Sequence, residues 1–528
     1  MKKNYISSLL VIAALAVSSC SQNHLDIPKH GNMGGQDDFY VNDENINQAL
    51  ANMYNNVLNV SQSLLTIKNC LSDDIYNGGG TRGDNATQDQ LNEYIFNTEN
   101  GSIQGLYQSL YTVIYGANLI IDKVEPATDF QKQAVAEAHV IRGWAHFELG
   151  TLWGTAPIVD HLLDPSEYKQ GNSEAGAILK FAIEEFKTAI TSGSLRSKSS
   201  LTDKATGVRI TKETALAFLG KAQLFAGDAS GAAESLNKVV DSKLYELYQG
   251  EYRDLFHVGQ NNCPESIFEC ELPYDAEKAY DHIMNYYTMA GWRTEKMDID
   301  YSKPFAQVYV SAGWGFYNPR KSLYDAFVEM EGKDGYRKKQ IIASYEELKA
   351  NGFTIKPGIE VIGCEGVWTY KHQLYQSDNP VFFPYFATGA VNYRMMRYAE
   401  VLLLAAEANL GSNSKKALEC INEVRKRAHL AELTTVSLDD IKKEKRLELF
   451  SEGCRFQDLV RWGDAYQAMK EQGLKVPNTL DGDGEFGTVK ADASTNPTGG
   501  FKQGKNELLP FPNLEIKVNP NMVQNPGW

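Results

Sequence analysis

Two carboxylates one helical turn apart, Glu448 and Glu452, offer the first candidate chemistry of this 528-residue chain. They lie in KKEKRLELFSEGCRFQDLVRW (442–462), with Arg446 and Arg455 nearby. A carboxylate pair can act as general acid and base in cleaving a glycosidic bond. The apolar residues of the segment recur at helical spacing, at Leu447, Phe450 and Cys454. One face is therefore buried, and the pattern favours a structural ion-pair network with arginine over a catalytic pair.

Other catalytic signatures are absent from the sequence. It contains no GxSxG motif, no HExxH motif and no phosphate-binding glycine loop. His139 and His146 lie seven residues apart on a predicted helix without a carboxylate at ligand spacing, which indicates packing. Glu400 and Glu407 share one face of a nearly all-apolar helix, where each charge must be paired. Their nearest candidate partners in the sequence are Arg394, Arg397 and Arg425. We therefore predict a protein that is not an enzyme.

The acidic segment DGDGEFGTVKAD (481–492) partly matches a calcium-binding loop. Asp481, Asp483 and Glu485 occupy the first, third and fifth positions of such a loop. The sixth position should be Gly and is Phe486, and the twelfth should be Glu and is Asp492. We predict a solvated acidic loop, with no metal and no cofactor.

Two tryptophans beside glycines point to a different chemistry. Trp292 lies in MAGWRTE (289–295) and Trp314 in SAGWGFYNP (311–319). The glycines let the backbone turn and would leave one ring face uncovered. The C–H faces of sugars stack on such rings, so we predict a sugar-binding platform. The alternative is that Trp314 packs beneath its own loop.

The hydroxyl groups of a sugar also need polar partners, and a glycine-rich loop early in the chain supplies them. The stretch LSDDIYNGGGTRGDNATQDQ (71–90) holds both aromatic and polar candidates. The predicted glycan-binding residues are Trp314, Trp292, Tyr76, Arg82, Asp84, Asn85 and Tyr287.

Helical segments must position these loops. Strong helical patterns cover 131–154, 211–241 and 397–428, and the last two superpose at a constant offset of 185 residues. The matching pairs are Leu219 and Leu404, Gly220 and Ala405, Ala232 and Ala417, Leu236 and Ile421, and Val239 and Val424. This pattern is typical of tetratricopeptide hairpins, which stack into a short solenoid. We predict a mostly α-helical fold with an irregular, loop-rich region over about 245–390 that contains short strands.

The N-terminus has the features of an export signal. Lys2 and Lys3 precede a short apolar run, and small residues lead to Cys20. The site resembles a bacterial lipoprotein lipobox, although Val17 stands where Leu is usual. We predict a signal peptide over 1–19, lipid attachment at Cys20 and a tether over 20–40.

Charge and cysteine content narrow the class of partner. The net charge of −15 becomes −17 when the two lysines of the leader are lost, which argues against nucleic acid and fits a neutral ligand. No CxxC pair occurs, and the scatter of the other six cysteines predicts neither a disulfide framework nor a zinc site.

Several stretches resemble the SusD/RagB family of outer-membrane lipoproteins. The residues that carry the likeness are LDIP (25–28), LYQSLYTVIYGANLII (106–121), AEAHVIRGWAHFELGTLWGTAPIV (136–159), RYAEVLLLAAEA (397–408), INEVRKRA (421–428), KEKRLELFSEGCRFQDLVRWG (443–463) and NPNMVQNPGW (519–528). The family's Asp-x-Arg motif is stretched here to Asp334-Gly-Tyr-Arg337. By the same likeness Trp314 matches a ligand-stacking tryptophan, whereas Trp368 and Tyr370 fall in a buried strand.

The resemblance implies a glycan-binding lipoprotein on the outer-membrane surface. Such a protein captures oligosaccharides and passes them to a SusC-like TonB-dependent transporter. The implied domain covers 41–528, with a helical scaffold over about 41–245 and 390–470, binding loops over about 245–390 and C-terminal loops over 471–528. Two alternatives remain open at this point, namely a surface-anchored glycoside hydrolase and a tetratricopeptide-type peptide-binding module.

Overall fold

The computed structural model describes residues 39–282, 285–308, 313–381, 388–480 and 488–528. The predicted signal peptide, Cys20 and nearly all of the tether lie outside these residues, as does the first part of the acidic segment, 481–487. None of the helices within the described ranges has the length and apolarity required to cross a bilayer.

The N-terminal part of the chain is helical. Its elements are α1 (Asp43–Cys70), β1 (Ile75–Gly78), α2 (Ala86–Asn92), α3 (Gly101–Lys123), α4 (Asp129–Trp153), α5 (Ala177–Thr191), α6 (Lys204–Gly207), α7 (Lys212–Phe225) and α8 (Ala229–Ser242). Helix α4 begins with a capping box between Thr128 and Gln131 and ends at Gly154, whose φ of +74° stops the helix. The predicted helix over 131–154 is therefore confirmed.

The central region alternates short strands and short helices. Its elements are β2 (Ser266–Cys270), α9 (Tyr286–Ala290), β3 (Met297–Ile299), α10 (Pro304–Val308), β4 (Phe316–Pro319), α11 (Lys321–Glu331), α12 (Tyr336–Ile341), β5 (Ile342–Ser344), α13 (Tyr345–Ala350), β6 (Phe353–Ile355), β7 (Glu360–Ile362) and β8 (Val367–Thr369). The strands form antiparallel pairs, β1 with β4, β3 with β6 and β5 with β8. A small core forms here around Trp292, Phe353, Trp368 and Tyr370. The burial predicted for Trp368 and Tyr370 is confirmed.

The C-terminal part returns to the helical scaffold. Its elements are β9 (Tyr393–Arg397), α14 (Tyr398–Asn409), α15 (Ser414–Arg427), α16 (Leu438–Glu448), α17 (Arg455–Trp462), α18 (Ala465–Met469), β10 (Lys475–Leu480), β11 (Thr488–Thr495) and α19 (Asn513–Val518). Strand β9 pairs with β2, and β10 joins β7 to β11 in a three-stranded sheet.

The two predicted hairpins are confirmed as α7–α8 and α14–α15, and α8 packs against α14. The helices of each hairpin approach closely because a small residue stands at the crossing. A Cβ atom built on Gly220 would lie 2.4 Å from Cγ of Leu236, so α8 fills the space that a side chain would need. The corresponding residues Leu404, Ala405 and Ile421 are also buried. The mostly α-helical, tetratricopeptide-like fold is thus the observed one.

The carboxylate pair of the sequence is buried in an ion-pair network. Glu448 is fully buried, and its carboxylate lies 2.9 Å from Arg337 and 3.1 Å from Arg397, with Arg427 also in contact. These guanidinium groups outweigh the effect of burial and lower the pKa of Glu448. Glu452 accepts from Arg397 at 2.6 Å. The predicted structural role of the pair is confirmed, and Arg337 of the stretched motif is one of its buried partners.

Several of the predicted ion-pair partners are wrong. Glu400 pairs with Lys221 at 2.8 Å, and Glu407 binds Arg461. Arg446 and Arg455 do not reach the glutamate pair and instead bind carboxylates at the end of α1, namely Asp74 at 2.7 Å and Asp73 at 2.7 Å. In each case the true partner comes from a different secondary-structure element or loop than the predicted one.

No disulfide joins the six cysteines of the described ranges, and all six are buried. They are Cys70, Cys263, Cys270, Cys364, Cys420 and Cys454. Burial raises the pKa of the Cys420 and Cys454 thiols to about 12, as expected of small core residues.

Candidate functional site

The early glycine-rich loop and the segment around Trp314 meet through a short sheet. In the antiparallel pair β1–β4, Tyr76 lies opposite Asn318 and Gly78 opposite Phe316. The pairing continues beyond the strands, where the Gly79 amide donates to the Gly315 carbonyl at 2.8 Å. Two parts of the chain more than 200 residues apart are thereby placed side by side.

The two Gly-Trp motifs also bind each other through their backbones. The Gly313 amide donates to the Trp292 carbonyl at 2.8 Å, and the Gly315 amide donates to the Gly291 carbonyl at 2.8 Å. Between them, the Trp314 amide donates to the Thr288 carbonyl at 3.0 Å. Three hydrogen bonds therefore fix the backbone that carries Trp314.

This close approach explains why glycines flank the tryptophans. A Cβ atom on Gly313 would lie only 2.0 Å from the backbone carbon of Gly291, so no side chain fits there. Gly315 has a φ of +77°, a conformation that other residues rarely adopt. The glycines therefore have two roles: they allow the backbone to turn, and they allow the two motifs to approach each other closely.

Replacing Gly313 with alanine should therefore disturb the Trp314 backbone. The new methyl group would clash with backbone atoms, which cannot move as a side chain can, and overpacking of this kind costs about 1–3 kcal/mol of unfolding free energy. Urea denaturation would measure the loss. Gly105→Ala is the control, because Gly105 lies in α3 with open space around its Cβ position. The expectation is wrong if both variants are as stable as the wild type.

The two tryptophan side chains differ in solvent exposure. Trp314 is half-buried and packs partly against the main core. Trp292 is only 4 % exposed; its Nε1 donates to the Thr369 carbonyl at 3.1 Å, and its ring meets Phe353 edge-on at 5.1 Å. The prediction of an uncovered face on Trp292 is wrong, because β6 and β8 enclose that ring in the small central core.

The two predicted tyrosines are also covered. Tyr76 is buried, and the Arg320 guanidinium lies 4.0 Å from the centre of its ring. Tyr287 is buried beside Tyr393, and its hydroxyl donates to the Asn392 carbonyl at 3.1 Å. Burial raises the pKa of Tyr287 to about 12. Both rings are covered in this structure, and a glycan contact by either tyrosine stays a prediction.

The polar residues of the early loop hold its shape. The Asp84 carboxylate accepts from the Gly80 amide at 2.7 Å and from the Thr81 hydroxyl at 2.7 Å. The hydrogen bond from the Thr81 side chain is the largest cause of the lowered pKa of Asp84. The Asn85 side chain caps α2, so its carbonyl oxygen is engaged by the helix. Asp84 itself remains exposed at the surface.

Arg82 stands at the rim of the same loop. Its guanidinium binds Asp89 at 2.9 Å and also contacts Glu93, while about a third of the side chain stays exposed. The loop is therefore tied to α2 through this arginine. Of the predicted residues, Asp84 binds the Gly80 amide of the loop that pairs with Gly315, next to Trp314, whereas the Arg82 guanidinium is directed toward α2.

Two basic residues beside Trp314 were missed in the sequence. The Arg293 side chain lies against the loop, since a Cβ atom on Gly80 would be 2.2 Å from its Nη1 and one on Gly315 would be 2.9 Å from its Cγ. The Lys296 ammonium group donates to the Gly80 carbonyl at 3.3 Å. Arg293 directly follows Trp292, and this position beside a predicted site residue could have identified it from the sequence. We call Trp314, the loop 79–85 and Arg293 the Trp314 site.

Metal binding receives no support from the residues that the structure describes. No group of three or more His, Cys, Asp or Glu side chains among them is arranged to hold a metal ion. The calcium-like positions Asp481, Asp483 and Glu485 lie outside those residues.

Comparison with known proteins identifies the family. The model of the SusD family matches residues 366–528, and a second model, described as starch-binding and associating with the outer membrane, matches residues 33–224. The chain belongs to the SusD family. A SusD-like protein from Bacteroides ovatus is 24 % identical over 98 % of each chain. A SusD-like protein from Formosa agariphila is 24 % identical over 85 % of each chain.

Solved structures share the fold of this SusD-family chain over nearly its whole length. A laminarin-binding SusD-like protein is 26 % identical, with a TM-score of 0.77 over 93 % of this chain and 100 % of its own. A surface glycan-binding protein from Bacteroides thetaiotaomicron in complex with laminarihexaose is 20 % identical, with a TM-score of 0.71. It covers 92 % of this chain and 99 % of its own, and at this identity it supports the fold alone.

Proposed function

We propose that this SusD-family protein binds a neutral glycan at the Trp314 site. The observation that carries the proposal is that Trp314 is half-buried, not enclosed like Trp292, while three hydrogen bonds fix its backbone. A rigid ring loses little conformational freedom when a sugar stacks on it. The hydroxyl groups of the sugar would then meet Arg293, Arg82 and Asp84 at the edges of the ring.

The expected affinity is modest. Stacking that covers about 50 Å² of ring contributes on the order of 1 kcal/mol at ~25 cal/mol per Å². Each hydrogen bond adds about 1 kcal/mol, which gives dissociation constants between about millimolar and micromolar. Weak binding suits a protein that hands its ligand on.

The rest of the proposal concerns location and partner. Lipid attached to Cys20 would hold the protein at the outer membrane, and a SusC-like TonB-dependent transporter would receive the glycan. The family description of association with the outer membrane supports this arrangement. The lipid would be tested by mass spectrometry of the membrane-extracted protein, with Cys20→Ala as the soluble control.

Affinity electrophoresis of the mature protein tests the glycan. Laminarin is the first polysaccharide to place in the gel, because a similar protein of known structure binds it. Starch, xylan and galactomannan would follow as other neutral polysaccharides. Retardation by one of them supports the proposal, and free migration in all of them contradicts it.

Prolonged incubation separates binding from hydrolysis. A glycoside hydrolase would shorten laminarihexaose, whereas a binding protein leaves its length unchanged in chromatography. At the Glu448–Glu452 position, Glu448 is buried and both carboxylates are held by Arg397, an arrangement that does not favour hydrolysis. Competition by a peptide library, without retardation by any polysaccharide, would instead favour the peptide-binding alternative.

A further inference from the structure

A second cleft opens on the helical side of the molecule. It lies between α3, the segment 157–170 and the C-terminal segment 515–522, and its volume is about 410 Å³. This size is within the usual range for small-ligand sites, about 300–1,000 Å³. The cleft shares no secondary-structure element with the Trp314 site. We call it the tyrosine cleft.

Helix α3 lines the tyrosine cleft with three aromatic rings one turn apart. Tyr107, Tyr111 and Tyr115 follow each other at i, i+4 and i+8, so they lie on one face of the helix. Tyr107 is buried, Tyr111 is half-buried and Tyr115 is 55 % exposed. The rings thus run from the floor of the cleft to its rim.

The opposite wall carries another exposed ring on a firmly held backbone. Tyr168 is 65 % exposed. The residues that follow it are fastened to the C-terminal segment, where Asn519 donates to the Gln170 carbonyl at 2.7 Å and Asn521 donates to the Lys169 carbonyl at 2.7 Å. Because this backbone is already held in place, a ligand that contacts Tyr168 would not pay the entropic cost of ordering a loop.

The chemistry of the lining selects the class of ligand. None of the described residues that line the tyrosine cleft is Lys, Arg or His, so an anionic ligand would find no counter-charge. Gln108 and Thr112 offer neutral polar groups beside the rings, and Glu515 offers a carboxylate as acceptor. Burial raises the pKa of Glu515. Flat apolar rings edged by neutral polar groups and one acceptor fit the C–H faces and hydroxyl groups of a sugar.

We propose that the tyrosine cleft is a second binding site for a neutral glycan, with Tyr115 and Tyr168 as its contact rings. This inference rests on the proposed glycan-binding function and extends it. Two sites on one rigid body let a long polysaccharide bind at two points, so its affinity exceeds that of either site alone. A short oligosaccharide that cannot reach both sites gains no such benefit.

The test compares the Tyr115→Ala/Tyr168→Ala double variant with the wild type in laminarin gels and in the other neutral polysaccharides. We expect retardation to weaken by roughly threefold to tenfold, because the polymer loses its second point of attachment. The affinity of the Trp314 site for a short oligosaccharide of the polysaccharide that retards the wild type should stay unchanged in calorimetry. Tyr466→Ala is the matched control, since Tyr466 is an exposed tyrosine outside both sites.

The outcomes separate the two proposals. If a polysaccharide retards the wild type and the double variant equally, the tyrosine cleft is not a glycan site. A protein partner is then the alternative occupant of the cleft. If no polysaccharide retards the wild type, the proposed glycan-binding function is contradicted, and so is the second site, because it depends on that function. Thermal unfolding checks that the variant folds, and Tyr115→Phe/Tyr168→Phe should restore retardation because both rings remain.

Discussion

Replacing Trp314 with alanine is expected to cause the largest loss of glycan binding. The variant loses the ring on which a sugar would stack, and a stacked face contributes about 1–2 kcal/mol, which corresponds to a roughly fivefold to thirtyfold weaker complex. Affinity electrophoresis in the polysaccharide that retards the wild type would measure the change. Weak retardation should persist in the same gel, because Trp314→Ala leaves the tyrosine cleft unchanged.

Two further substitutions at the same position separate stacking from packing. Trp314 also contacts the core with its buried part, so alanine removes packing as well as the exposed face. Trp314→Leu keeps an apolar side chain without a flat face, whereas Trp314→Phe keeps a flat aromatic ring. If stacking matters, phenylalanine retains most of the binding and leucine does not. Equal binding by the two variants would show that Trp314 serves only as packing.

Glu448→Gln is expected to cause the largest loss of stability. The carboxylate lies between the buried guanidinium groups of Arg337, Arg397 and Arg427, and the amide leaves that positive charge without its shared partner. Removing one member of a buried ion-pair network costs about 3–5 kcal/mol. The midpoint of urea denaturation should fall accordingly. Glu234→Gln is the control, since its ion pair with Lys238 is exposed and should give no measurable change.

The pH dependence of stability provides a second measurement of the same network. The folded pKa of Glu448 lies below its unfolded value, and that of Glu452 is lowered too. Their contribution is therefore fully present above the unfolded pKa, near 4.5, and is lost as the pH falls toward the folded values. The wild type should lose more unfolding free energy than Glu448→Gln between pH 6 and pH 3. Parallel curves would contradict this assignment.

The helical scaffold could be predicted because its signal is local and repeated. The apolar positions of α7–α8 recur in α14–α15 at one offset, and Gly220 and Ala405 fall at the same place in both hairpins. Helical spacing determines which residues share a face, whatever the rest of the chain does. The family resemblance predicted that the early loop and the Trp314 segment contribute to one site, and the β1–β4 pairing places the two segments side by side.

The burial of individual rings could not be read from the sequence. Trp292 and Trp314 both stand beside glycine, which permits a turn but does not say which way the ring points. Strands β6 and β8 cover Trp292 from positions more than 50 residues away, while Trp314 stays half-buried. Arg320 covers Tyr76 in the same way from a distant segment.

The sequence by itself determined the periodic scaffold, the leader-like N-terminus and the residue types of the binding loops. The tertiary structure alone decided which charges pair and which aromatic faces stay exposed. Sequence reasoning required a partner for Glu400 but did not find Lys221, because a buried charge demands neutralisation without specifying its source. Periodicity is a property of neighbouring residues, whereas exposure depends on whatever distant segment packs above a side chain.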